Sequence, residues 1–590
     1  MDYACLGNLP TDILVLILGL FCLHCQDEYN KPWDTPPLRH RSPRQKPDEK
    51  SWYSVDRQAL VSLSLTSRRL RDIAQSILYH EFTLGYDDSW RTNLYTWDGR
   101  LISFMRTLAQ RRDLACLVKV VYVHPRLLWA INSNRPLDVL GEAAEALGID
   151  LVEIWEPDIP RDMLMNRSIR PTTRELFLAP LLYVPGYVPW YSRDVRTRRR
   201  ESNWAAAELM AMLIAQLPSL EYLGLQLCSR WAGGDGVSFL SFESLNISSL
   251  PFIRRLDIGP CPVDLLRLSP GLETLNLHSP DFLGNYPPLP KLKILRMTDC
   301  WLGKTQVECI LEACTGGLET FAYERLSLTQ SRSSMGGASH RGMVKQFQLS
   351  DAVSLLSRHQ STLKSLHLDL SAEGSSVCKI EHGLHLRDFT LLEHLSIGFA
   401  MIYGFYGRQE EGVLDSEPLI ELLPASLVSL SIQTQQMGEA ARENLEKGLV
   451  SLAALKERQP DQFPNLGWIQ CDLGSETGWL SSMFEGVNVQ FKSSSWTLNK
   501  AKPYLNGTGW TVDRIIPSTS SDDFSEDELF VPPRQQEEVE REKMSDAAMF
   551  QMETNEAVMS ESDPGKQMRD AFMAWNRGIE EGLMDIFNRP

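Results

Sequence analysis

The sequence predicts an α/β protein. A small helical module comes first, an irregular solenoid of strand-plus-helix repeats follows, and a disordered acidic tail closes the chain. Three observations carry this. An apolar stretch at residues 6–25 is followed, after a break, by helical periodicity over 59–84. A spacing of apolar residues that suits a strand with one buried face recurs ten times between residues 118 and 471. From Ser518 to Pro590 there are 18 acidic and 7 basic side chains, so 11 of the 17 net negative charges sit in that tail.

The chain has 590 residues, 43% of them hydrophobic, enough for several domains or one long array with a large core. Its acidic balance argues against general nucleic-acid binding, which needs a basic surface to displace counterions. The 11 cysteines are sparse and odd in number. That is no disulfide framework, and it points to a reducing compartment, cytoplasmic or nuclear. The apolar opening lacks the basic flank of a signal peptide, since Asp2 is the only charge before Leu6. The uninterrupted run from Ile13 to Leu23 falls short of the about 20 residues a bilayer needs, so no membrane partner is expected.

The first element is a helix. Pro10 suits a first turn, where its missing N–H costs nothing, and Asp12 favours the positive end of the helix dipole. Leu9, Ile13, Leu14, Ile17 and Phe21 share a face, while Leu16, Leu18 and Leu20 widen the apolar surface nearly all round. Such a helix must be covered from several sides, by its own domain and, where that leaves a side open, by a partner. Prolines and charges dominate 26–54, which reads as a disordered insertion. Helical spacing resumes with Leu60, Leu63, Leu70, Ile73, Ile77 and Leu78.

"LPTDILVLILGLF" followed by "LVSLSLTSRRLRDIA" resembles an F-box, the small helical module that docks on a Skp-type adaptor. Leu9, Pro10, Asp12, Ile13 and Leu14 match its opening in order. Leu63, Leu65, Arg68, Arg69 and Leu70 fit its second half, with Leu70 where many members carry Trp or Phe and Thr66-Ser67 where Val-Cys is common. The insertion at 26–54 is a further departure. "ILYHEFTL" just after the box is similar to many fungal-type F-box proteins. The resemblance implies a module over 1–90, an adaptor and a cullin scaffold as partners, and adaptor contacts at Leu9, Pro10, Ile13, Leu14 and Ile17. Leu65, Leu70 and Ile73 would lie behind or beside them.

Beyond residue 110 the spacing L-x-x-L-x-L takes over. It occurs at Val118/Val121/Val123, Leu220/Leu223/Leu225, Ile253/Leu256/Ile258, Leu272/Leu275/Leu277 and Leu292/Leu295/Met297. It returns at Leu318/Phe321/Tyr323, Leu363/Leu366/Leu368, Leu392/Leu395/Ile397, Leu427/Leu430/Ile432 and Leu466/Ile469/Cys471. Cys228, Cys261 and Cys300 fall at the closing N/C position of a leucine-rich repeat. The uneven intervals, 19 to 45 residues from Leu220 onward, mark a degenerate leucine-rich-repeat-like domain over 110–512 with inserted loops such as 328–343 and 401–412. Residues between the apolar ones are expected to line the exposed strand face and receive an unknown protein substrate. They are Tyr222, Gly224 and Gln226, Arg255 and Asp257, Asn276 and His278, and His367 and Asp369.

Chemical motifs are scarce. Cys22-Leu-His-Cys25 has the spacing of half a zinc site, but no second pair with ligand spacing follows nearby, and two packed thiols are the favoured reading. The repeat cysteines read as small apolar plugs. There is no phosphate-binding glycine motif, no G-x-S-x-G and no H-E-x-x-H. No catalytic residue, metal or cofactor is therefore expected. "RTRRR" at 196–200 reads as a solvated basic loop, with a nuclear import signal or a contact for an acidic partner as the alternatives. The expectation is a non-catalytic substrate receptor of a ubiquitin ligase; the alternative is a repeat scaffold that binds proteins without ubiquitin chemistry. An acidic linker over 513–564 leads to an amphipathic helix over 565–588, whose stripe includes Phe572, Trp575, Ile579 and Leu583.

Overall fold

All ten stretches that share the L-x-x-L-x-L spacing are strands, and they pair in the order in which they occur. The computed structural model describes residues 9–27, 52–84, 99–123, 143–145, 147–148, 210–226, 242, 245, 247–259, 263–278, 286–300, 302–325, 347–370, 385–403, 417–434, 439–471, 473 and 478–493. The chain divides into two units, 1–516 and 517–590. The second, with the expected helix at 565–588, lies outside the described residues, as do Cys228, Cys261, the basic cluster at 196–200 and the inserted loop at 328–343.

The described part is α/β, with one sheet of twelve parallel strands in unbroken sequence order. β1 is Glu81–Phe82, β2 Val120–Val123, β3 Tyr222–Gln226, β4 Arg255–Gly259, β5 Thr274–His278 and β6 Ile294–Cys300. β7 is Thr320–Arg325, β8 Ser365–Asp369, β9 His394–Gly398, β10 Ser429–Gln433, β11 Trp468–Cys471 and β12 Gln490–Lys492. The register lines up like residues. Leu223, Leu256, Leu275, Leu295, Phe321, Leu366, Leu395, Leu430, Ile469 and Phe491 form one continuous row across ten strands. A one-residue slip in any strand would turn that row to the opposite face, so burial fixes the register.

Each strand is also tied to the next just before it begins. The carbonyl of Glu221 accepts from the N–H groups of Arg254 and Arg255, that of Arg254 from Glu273 and Thr274, and that of Glu273 from Lys293 and Ile294. The same double acceptance recurs at Lys293, Glu319, Lys364 and Glu393, and it starts at His80, which accepts from Lys119 and Val120.

Helices cover the apolar face of the sheet. Val307, Ile310 and Leu311 of the Lys304–Ala313 helix join the same core as the strand leucines. Ala352, Leu355 and Leu356 of Leu349–Leu356 do so too, as do Leu445, Leu449 and Leu452 of Glu439–Arg458. Each such valine, leucine or isoleucine side chain, fully buried, contributes roughly 1.5–3 kcal/mol before ordering costs. Cys300 sits in this core, fully buried, with its Sγ donating to the Thr298 carbonyl at 3.3 Å, as expected of a small plug.

The N-terminal module is three helices: α1 Thr11–Gly19, α2 Trp52–Ser64 and α3 Arg68–Leu78. Ser67 caps α3 by accepting from the Leu70 N–H at 3.2 Å. Arg69 reaches back to the start of α1, donating to the Leu9 carbonyl at 2.5 Å and to Thr11 Oγ1 at 3.3 Å. Leu14, Leu18, Leu60, Leu70, Ile73 and Ile77 make a core of their own.

Some boundaries differ from the expected ones. The first helix ends at Gly19, and the chain then folds through turns to Asp27. α2 begins at Trp52, inside the expected insertion 26–54, of which 28–51 lie outside the described residues. The sheet begins at Glu81, inside the expected module 1–90, because the His80 carbonyl already anchors β2. A helix over Phe399–Tyr403 takes up the start of the expected loop 401–412, burying Ile402 and Tyr403.

Candidate functional site

α1 presents two sides. Leu14 and Leu18 are fully buried against the other two helices. Ile13, Leu16 and Leu20, spaced three and four residues apart, stand out from the opposite side at 42%, 68% and 60% exposure. Leu65, at the end of α2, is 82% exposed. Among the described residues of the module these are large apolar side chains open to water. Of the expected adaptor contacts, Pro10, Ile13 and Leu65 are on the surface, and Leu9 and Ile17 are half-buried. Leu14, Leu70 and Ile73 belong to the module's own core. Leu16 and Leu20 were legible in the sequence only as a widening of the apolar surface.

The strand face opposite the leucines carries a polar row. Gly224, Asp257, Asn276 and Arg296 stand side by side on β3 to β6. Asp257 is its hub. It accepts from the Tyr222 hydroxyl at 2.6 Å, from Arg255 Nε at 3.3 Å and terminal nitrogen at 3.1 Å, and from the Asn276 amide. Arg296 donates to Asn276 Oδ1 at 3.3 Å, and the Arg255 guanidinium lies over the Tyr222 ring, 4.8 Å from its centroid. Burial raises the Tyr222 hydroxyl well above its ordinary value, with the Asp257 charge adding to the effect.

This row departs from the expected open face. Tyr222, Arg255, Asp257, Asn276, His367 and Asp369 are all buried. From Tyr222 to Arg296, the polar side chains of neighbouring strands are linked to one another by hydrogen bonds. Gly224 lies beneath the Tyr122 ring. The side chains of Gln226 and His278 lie outside the described residues.

Where the module meets the sheet, a tight cluster forms. Glu81, on β1, holds the turn after α1: its carboxylate accepts from the Leu23 N–H at 3.3 Å, the His24 N–H at 3.1 Å and the Tyr53 hydroxyl at 2.9 Å. Leu23 and Tyr53 pack with Val120 and Tyr222 of the sheet. The turn delivers Cys22, His24 and Cys25 to His80. Cys25 Sγ is 3.2 Å and Cys22 Sγ 3.9 Å from His80 Nδ1. One donor atom from each of Cys22, His24, Cys25 and His80 lies within 4.8 Å of every other. The hydrogen bond with Cys25, aided by burial and by the Glu81 charge, pushes the Cys22 thiol up to about 12; the same bond lowers Cys25.

Cys22 packs in the module core, as expected, but Cys25 is exposed, so the expected pair of packed thiols holds for one of the two: the chain turns at Cys25 and leaves its thiol beside His80 at the surface. A second imidazole reaches the two thiols and His24 from His80, 55 residues beyond Cys25. Among the described residues no helix is long and apolar enough to cross a membrane. No protein-family model and no curated protein matches this chain.

Proposed function

We propose that the chain is the substrate-recognition subunit of a Skp-cullin-F-box-type ubiquitin ligase, acting in the cytoplasm or nucleus. Its N-terminal module docks on a Skp-type adaptor, which holds it on a cullin scaffold. The sheet domain, read as a leucine-rich-repeat-like solenoid, receives a protein substrate. The observation that carries this reading is the exposed apolar side of α1, Ile13, Leu16 and Leu20, on a module whose sequence resembles an F-box. The repeat reading is supported by twelve strands in sequence order with their leucines in register.

The mechanism is proximity. The chain supplies no reacting group and no cofactor; it raises the effective concentration of substrate lysines near the ubiquitin-charged enzyme. The test is co-purification of the full-length chain with a Skp-type adaptor and a cullin. Ile13→Asp places a charge in a desolvated interface at a cost of several kcal/mol, so adaptor affinity falls at least about tenfold while the helical signal is kept. Unchanged affinity refutes the docking role and leaves a protein-binding scaffold without ligase function.

A further inference from the structure

We propose that Cys22, His24, Cys25 and His80 bind one zinc ion that bolts the end of the first helix to the start of the sheet. The site stands independently of the ligase reading.

The donor set is that of a structural zinc site, two sulfurs and two imidazoles. Tetrahedral coordination at ordinary Zn–S and Zn–N lengths puts donor atoms about 3.3–3.8 Å apart. The distances from His80 Nδ1 to the two sulfurs, 3.2 and 3.9 Å, bracket that range. Glu81 holds the backbone of the turn, and its hydrogen bonds leave the four side-chain donors of Cys22, His24, Cys25 and His80 facing one another. Glu81 is not a ligand, because its carboxylate is already occupied by two backbone N–H groups and the Tyr53 hydroxyl.

His24 supplies an independent sign. Its Nδ1 is buried with no hydrogen-bond partner, while its Nε2 faces the Glu221 carboxylate at 3.9 Å. Ligation through Nδ1 satisfies the buried nitrogen and leaves Nε2–H for Glu221. That is the carboxylate–histidine–metal arrangement by which ligating imidazoles are oriented. Glu221 also pairs with Lys119 at 2.9 Å, which fixes it in place.

The charge balances. Zinc replaces the two thiol protons, which leave to solvent, and binds two neutral imidazoles. Two thiolates cancel the dication, so a partly buried centre carries no net charge, the condition under which burial is tolerated. Without metal the exposed Cys25 thiol is open to oxidation.

The consequence is mechanical. Cys22, His24 and Cys25 follow α1, and His80 joins α3 to β1. A metal shared by both segments fixes the helix carrying Ile13, Leu16 and Leu20 against the first strand.

The test uses the full-length chain without a histidine tag, made in zinc-supplied medium and purified without chelator. Zinc content is measured for the natural sequence, for Cys25→Ser, for His80→Ala and for Cys116→Ser, an exposed cysteine outside the cluster. The expected result is equimolar zinc in the natural chain and Cys116→Ser, and its loss in the other two. His80→Ala keeps the backbone carbonyl that anchors Lys119 and Val120, so the strand connection survives it. If either variant fails to fold, the natural chain decides alone. Chelation must expose two additional reactive thiols, and cobalt(II) must give a thiolate charge-transfer band with tetrahedral visible bands. Glu221→Gln weakens metal affinity by about tenfold. The proposal is overturned if the natural chain holds no more zinc than His80→Ala and gives no cobalt–thiolate band. A Cys22–Cys25 disulfide in protein kept under reducing conditions overturns it as well.

Discussion

The ring of Tyr122 lies across Gly224 on the neighbouring strand, so close that a Cβ at position 224 would stand 2.9 Å from Tyr122 Cε2 and nearer still to Cδ2. The two residues are register partners on β2 and β3, and the ring is fully buried. Gly224→Ala therefore forces the ring or the strand to move, at a cost of about 1–3 kcal/mol. Urea denaturation measures it. Combining the change with Tyr122→Ala should cost less than the two singles added together, since the clash is then gone. Strict additivity would place the strain elsewhere.

Asp257 is predicted to hold the polar row together. It accepts four hydrogen bonds from Tyr222, Arg255 and Asn276. Asp257→Ala removes the carboxylate paired with the buried Arg255 and should cost roughly 3–5 kcal/mol. Asp257→Asn keeps part of the hydrogen bonding and should cost less. Equal losses from both changes would mean that the charge, not the bonding pattern, is what the row requires.

The repeating strands were legible because each leucine pattern depends on local spacing alone: Leu223 and Leu225 must face one way whatever surrounds them. β1 was missed because Glu81–Phe82 is only two residues long and the apolar position ahead of it is Tyr79 rather than a leucine. The burial of Tyr222 and Asp257 was not legible, since alternation tells which residues share a face and not what covers it. Nor was the Cys/His cluster. Cys22 and His80 are 58 residues apart, and only the packing of α1 on α3 and β1 brings them together.

The two sides of α1 should respond differently to substitution. Leu14→Ala removes a fully buried side chain from a small core and should cost 2–5 kcal/mol of module stability. Leu16→Ala, on the exposed side, should stay within about 0.5 kcal/mol. Thermal melts of the full chain compare them. A large loss from Leu16→Ala would show that this side is already covered within the chain.

His367 is held neutral. Burial pushes its imidazole from near 6.5 down to about 3. The folded value lies below the unfolded one, so the unfolded chain binds the extra proton at intermediate pH. Its contribution is complete above about pH 6.5 and is lost as pH falls from there towards 3, at up to about 1.4 kcal/mol per pH unit. His367→Gln removes this titration and should flatten the stability profile between pH 6 and about 4 relative to the natural chain. Parallel profiles for the two chains would show that His367 is protonated in the fold.

A row of alternating charge runs along the line where the strands begin. Lys119, Glu221, Arg254, Glu273, Lys293, Glu319, Lys364 and Glu393 occupy the same position ahead of successive strands, and each carbonyl receives the next strand. Glu319 stands between two cations, 3.9 Å from Lys293 and 3.0 Å from Lys364. All three side chains are partly open to water, so each pair contributes only about 0.2–1 kcal/mol. Glu319→Gln removes two attractions, whereas Glu319→Lys places three cations in a line. The reversal should therefore cost about twice as much as the neutral change in dilute buffer. The Debye length shrinks to about 3 Å in 1 M salt, so the extra loss should nearly vanish there, provided that it is electrostatic. Urea midpoints of the natural chain and both variants at the two salt concentrations make the comparison. If the gap between Glu319→Lys and Glu319→Gln persists in 1 M salt, the cost comes from packing of the longer side chain, and alternating charge does not hold the strands in order.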